Sequence, residues 1–174
     1  MSLRPILTFP NPLLREKAKK ITVFDESLQN LISDMVETMY DAPGVGLAAP
    51  QIGESLRLVV VDISKDEDEK KSMVMINPKI TETEGSQVDE EGCLSVLELT
   101  ASVKRGKKIT VHYQDGEGKE HELCTEDRFA VVLQHEIDHL NGVLFIDHLS
   151  SLKRALYKKK IKKQMAAKKQ QMVA

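Results

Sequence analysis

An α+β fold, with a mostly antiparallel sheet around a central helix and a further helix at the C-terminus, is what these 174 residues predict. Three observations carry that reading. Short β-branched runs are closed by a Gly-rich turn, the mark of antiparallel hairpins. A stretch with apolar residues near a 3.6-residue period follows them directly. A lysine-rich stretch with helical apolar spacing ends the chain. The length suits one domain with a real core. Aromatic residues are scarce and tryptophan is absent, so leucine, isoleucine and valine must supply most of that core. No repeat divides the chain, and no linker is long enough to do so.

The elements follow in order. Residues 25–41 form an amphipathic helix, with Leu28, Leu31, Ile32, Met35, Val36 and Met39 on one face. Asp25 caps it and Pro43-Gly44 ends it. Arg57 to Ile63 reads as a buried strand. Ser64 to Ser72 is a charged loop, and Met73 to Ile76 a short second strand. Lys108 to Tyr113 and Lys119 to Leu123 flank Asp115-Gly116-Glu117-Gly118, a hairpin. The central helix comes next, with apolar residues at Phe129, Val132, Leu133, Ile137 and Leu140. Thr125 is its expected N-cap, Glu126 and Asp127 suit the positive end of its dipole, and Asn141-Gly142 stops it.

The central helix holds the main chemical signal. Residues 135–139 read His135-Glu136-Ile137-Asp138-His139. Histidines four apart share a helix face and can hold one metal ion, with Glu136 beside it as a proton acceptor. This makes the central helix a metal-binding helix suited to the attack of water on a carbonyl. Val131 and Val132, a turn earlier, give the site an apolar floor.

Two histidines leave such an ion short of a ligand. The extended histidine-rich pattern of many metallopeptidases needs histidine at position 145, where Phe145 stands, and no glutamate follows Glu136. Asp147 and His148 lie just past the helix end and would have to point back. Cys93, in Glu91-Gly92-Cys93-Leu94-Ser95, is the better candidate, because its thiolate suits zinc or ferrous iron. Cys124, among polar residues, reads as an ordinary half-buried thiol. A third segment, Gly44-Val45-Gly46-Leu47-Ala48-Ala49-Pro50-Gln51, has small residues that allow close backbone approach. Its Gln51 amide can donate to a carbonyl oxygen.

Together, residues 44–51, 91–95 and 135–139 resemble the peptide deformylase family, which carries these three motifs in this order. The resemblance runs from Ile6-Leu7-Thr8-Phe9-Pro10 to Gly142-Val143-Leu144-Phe145. It implies that Cys93, His135 and His139 are metal ligands and that Glu136 is the general acid and base. Gln51 and the Leu94 backbone N–H become the oxyanion donors. The implied reaction is hydrolysis of the formyl group from formyl-methionine of new polypeptides, with Fe2+ as the natural ion and Zn2+ or Ni2+ able to replace it. Val45, Leu94, Val131 and Val132 are then candidates for the methionine slot, and Gly46, Ala48 and Ala49 for a mouth narrow enough to select the formyl group. One departure stands out. Many bacterial members follow the cysteine motif with an aliphatic residue, a proline, two residues and an arginine. Here that run is Val96-Leu97-Glu98-Leu99-Thr100, which puts peptide affinity in question without touching metal or base.

Charge divides the chain. Residues 151–174 carry nine basic side chains and no acidic one, leaving 16 basic against 27 acidic, a net −11, on residues 1–150. Residues 1–150 are therefore read as the catalytic domain, and residues 151–174 as its basic helical extension. Leu149, Leu152 and Leu156 set the expected docking stripe of that helix, which then projects into solvent. The resemblance adds a polyanionic partner, ribosomal RNA, for residues 153–169, since some deformylases meet the ribosome through a C-terminal helix. No segment has the apolar length of a membrane span and the start lacks a signal-peptide core, so the expected compartment is the cytoplasm. A metallopeptidase shares the helix chemistry but not this ligand set. An RNA-binding module explains the tail but not the ligands.

Overall fold

The computed structural model describes residues 2–64 and 68–173, so part of the expected charged loop lies outside the described residues. Seven strands are described: β1 (Gly46–Ala48), β2 (Leu58–Val61), β3 (Met73–Glu84), β4 (Gln87–Cys93), β5 (Val96–Arg105), β6 (Lys108–Gln114) and β7 (Glu120–Glu126). Three α-helices accompany them: α1 (Glu26–Asp41), α2 (Asp127–Leu140) and α3 (Ser151–Val173). A five-stranded sheet has the order β1-β2-β3-β6-β7, and β4 and β5 form a separate hairpin. All strand pairs in both are antiparallel. The α+β architecture expected from the sequence is the one observed.

The main sheet is covered on both faces where it matters. Ala48, Val59, Val61 and Met75 pack with Leu133, Ile137 and Leu140 of α2. The alternate residues Leu47, Leu58, Val60 and Ile76 pack with Leu28, Leu31, Met35 and Met39 of α1. This is the period-two alternation of a strand, and it explains why β2 is apolar at every position. The Asp25 carboxylate caps α1 by accepting from the Leu28 N–H at 3.0 Å.

Three expectations are corrected. β3 does not stop at Ile76 but continues to Glu84. Asn77-Pro78 reads as a strand end, yet the pairing with β6 shifts register between Ile76 and Lys79, and such a bulge accommodates proline. Thr125 is not the N-cap of α2. It pairs with Ile109 in β7, and Glu126 takes the cap position without a side-chain cap bond. Two elements have no clear sequence signal: the stretch 87–105, without clean alternation, forms the β4–β5 hairpin, and Gly46–Ala48 forms an edge strand. Finally, Leu152 and Leu156 are exposed. Tyr157 and Ile161 dock α3 instead, against Leu14, Val96 and Phe145. Beyond Ile161 most α3 side chains described face solvent, as expected.

Candidate metal centre and its cleft

The three predicted ligands meet. β4 ends on Cys93, and α2 presents His135 and His139 one turn apart. One potential ligand atom from each lies within 4.8 Å of the others. Cys93 Sγ is 3.4 Å from His139 Nε2, and the two imidazole rings sit 5.1 Å apart, edge to face. Both histidines are buried. Asp147 and His148 point elsewhere, Asp147 to Arg15 and His148 to Asp138.

Sequence reasoning missed what holds His135. Its Nδ1 lies 2.9 Å from Glu91 Oε1. An ionised carboxylate only accepts, so the proton sits on Nδ1 and the Nε2 lone pair is left for an ion. Arg105 grips Glu91 in turn, through Nε at 2.7 Å and Nη2 at 2.8 Å, and reaches Asp138 Oδ2 through Nη1 at 2.7 Å. His148 Nε2 meets the same Asp138 oxygen at 2.9 Å. Glu91 belongs to the quoted cysteine motif and was available to inspection. Arg105 had no signal, because only the β4–β5 pairing brings it beside Glu91. Asp138 is half-buried in this chain of contacts.

The electrostatics suit a cation. Burial would raise the Glu91 carboxyl, but hydrogen bonds from Arg105 and His135 outweigh it and hold the group down at about 2. Burial pulls His135 down, while Cys93 and Glu91 beside it push it up to about 10. The pocket thus favours positive charge on that ring, and a divalent ion takes the place of a proton at such a donor. His139 is held well below its ordinary value by burial, then by the neighbouring His135 and Arg105 charges, which keeps it neutral as a ligand must be. The soft thiolate and two imidazoles fit zinc, ferrous iron or nickel.

Glu136 stands beside the cluster. Burial lifts its carboxyl to about 7, against the pull of His135 and Arg105. Its Oε2 is buried without a hydrogen-bond partner in the described structure. A Cβ on Gly46 would lie 2.7 Å from Glu136 Oε1, so the glycine makes room for the carboxylate. Gln51 is also buried, in a 3-10 turn over Ala49–Ile52. Its Oε1 accepts from the Ala48 N–H at 2.9 Å. That turns the amide NH2 toward Ser95 Oγ at 3.0 Å and Cys93 Sγ at 3.7 Å. Leu94 follows Cys93 in the turn between β4 and β5.

A cleft of about 570 Å3 opens over this group. Val45, Gly46, Gln51, Cys93, Leu94, Val131, Val132, His135 and Glu136 all line it, so the structure brings together the predicted pocket residues. Val131 and Val132 are buried at its floor, whereas Val45 is 45% exposed at the rim. Leu97, Glu98, Leu99 and Thr100 form another part of the lining. Cys124 is exposed in β7 rather than half-buried, and it takes no part.

The family model described as polypeptide deformylase matches residues 3–155. A peptide deformylase of Desulfotalea psychrophila is 66% identical over 164 residues, covering 94% of this chain and 97% of that protein. One from Mesorhizobium japonicum is 49% identical over 94% of this chain and 93% of its own length. The crystal structure of a peptide deformylase from Legionella pneumophila superposes with a TM-score of 0.88 at 50% identity, covering 96% of this chain and 98% of that one. With a match of this extent in sequence and in fold, the chain belongs to the polypeptide deformylase family.

Proposed function

We propose that this protein hydrolyses the N-terminal formyl group of formyl-methionyl polypeptides in the cytoplasm, releasing formate and a free amine. The observation that carries the reading is the Cys93–His135–His139 cluster, with both histidines buried and an unpartnered Glu136 oxygen beside it in the lining of the cleft. Cys93, His135 and His139 would hold one divalent ion. When bound, that ion polarises the carbonyl and lowers the proton affinity of water near neutral pH. Fe2+ is the ion we assign in the cell, with Zn2+ or Ni2+ able to occupy the same donors.

The chain's own groups do the rest. Glu136, lifted to about 7, takes a proton from the attacking water and returns it to the departing nitrogen. The hydroxyl ends on the formyl carbon, and the C–N bond breaks. The Gln51 amide and the Leu94 N–H donate to the carbonyl oxygen as negative charge gathers there, and losing one such donor costs on the order of 3 kcal/mol. Val45, Leu94, Val131 and Val132 hold the methionine side chain. Gly46 and the alanines after it narrow the mouth to a formyl group. The lysines of α3 give the protein a polyanionic contact, which we assign to ribosomal RNA beside the emerging chain.

Formate release from a formyl-methionyl peptide by anaerobically purified protein, with metal measured in parallel, tests the reading. Glu136→Gln should retain the ion and lose turnover by at least about 10²-fold. Cleavage of internal peptide bonds without formate release would instead make the protein a peptidase.

A further inference from the structure

The substrate cleft has a wall that the catalytic group does not explain. In the β4–β5 hairpin, Cys93 pairs with Val96 but Gly92 pairs with Thr100, so Leu97, Glu98 and Leu99 bulge out of the ladder. All three line the cleft. Glu98 takes φ 59, a left-handed conformation that is unfavourable for a residue with a Cβ. Bulges recur beside active sites, where they re-aim side chains, and such a conformation persists only when its surroundings fix it.

Those surroundings are supplied by α3. Tyr157, 4% exposed, donates its hydroxyl to the Leu97 carbonyl at 2.9 Å. Gln164 Nε2 donates to Glu98 Oε2 at 2.9 Å, and Lys160 Nζ lies 3.4 Å from the same oxygen. The last two contacts are solvent-exposed and worth little. The tyrosine bond is part-buried, and its donor comes from a ring packed in the core cluster, which fixes the geometry that the carbonyl meets. The Tyr157 ring also lies 5.8 Å from Phe9, whose N–H holds the Ser95 carbonyl at 2.7 Å. One side chain of α3 therefore braces the bulge and packs against the residue that fixes its approach.

We propose that Tyr157 is a positioning residue for substrate. By anchoring Leu97 it holds the 97–99 bulge in the shape that receives the peptide backbone beyond the formyl-methionine. This rests on the deformylase reading above. It ties the C-terminal helix to peptide selection rather than to solubility or ribosome contact alone.

The test is Tyr157→Phe in the full metal-loaded chain, because phenylalanine keeps the ring and the docking of α3. Formate release is measured on formyl-methionyl peptides of two to five residues, together with metal content and amide hydrogen exchange. The expected result is a threefold to tenfold rise in KM that grows with peptide length, with kcat within twofold of wild type. Metal content should be unchanged, and faster exchange should be confined to residues 97–99. An unchanged KM at every length, or a loss confined to kcat and metal, overturns the proposal while leaving the activity standing. No formate release by the wild-type protein overturns the activity reading, and this proposal with it.

Discussion

Gly46 sets a tight steric limit in the cleft. A methyl group there would meet Glu136 Oε1, Cδ and Cγ at 2.7 to 2.9 Å, and the other carboxylate oxygen is buried without a hydrogen-bond partner. Gly46→Ala should therefore displace the proton-transfer group while sparing Cys93, His135 and His139. We expect the ion to stay and kcat to fall on the order of 10²-fold, since a misplacement near 1 Å can cost that much. Normal turnover with normal metal would show that Glu136 has room to move. Thr100 tests the opposite rim. It is exposed and lines the cleft, at the position where the family pattern that the sequence resembles would have arginine. Thr100→Arg should lower KM for longer formyl-methionyl peptides and leave kcat nearly unchanged, the pattern of added uniform binding. A KM unmoved at every length would mean that the braced bulge already holds the backbone.

At the scale of elements, the site depends on how β5 meets α2. Arg105 is 7% exposed and joins Glu91 of β4 to Asp138 of α2. Removing one partner of a buried pair strands the other charge, at about 3–5 kcal/mol. Arg105→Met should thus lower the unfolding free energy of the metal-free protein, read from its denaturant transition, by that order and weaken metal binding about 10–100-fold through His135. A midpoint within error of wild type would mean that water reaches Glu91 and replaces the guanidinium. The same contact shows what the sequence could and could not disclose. His135 and His139 are legible from their four-residue spacing, Cys93 from its thiolate chemistry and the family resemblance, and α1 from one clean apolar stripe. Arg105 was not, because its role exists only through a register between strands 14 residues apart along the chain from Glu91. The docking face of α3 was misread because leucine was weighted over tyrosine. Tyr157 buries its ring and keeps its hydroxyl satisfied, while Leu152 and Leu156 remain in solvent.

Across the whole molecule, charge is sorted along the chain. The body carries a net −11, and the last 24 residues add nine positive charges without an acidic one. α3 docks through Tyr157 and Ile161 and then runs on, with Lys162, Lys163, Lys168 and Lys169 exposed. An acidic body repels nucleic acid in general, so an extended basic helix restricts contact to one end and one orientation. Cutting the chain after Ser151 would be a poor test of ribosome binding, because it strips Tyr157 and Ile161 from a core cluster. Changing the four outer lysines to glutamine keeps the docked turns. That variant should hydrolyse short formyl-methionyl peptides at the wild-type rate. It should also cosediment with ribosomes at least about tenfold less at low salt. If each lysine neutralises one phosphate, the slope of log affinity against log salt should flatten by about three. Equal cosedimentation of both proteins, with equal slopes, would mean that the lysines only keep the helix in solution and that the acidic body finds the nascent chain unaided.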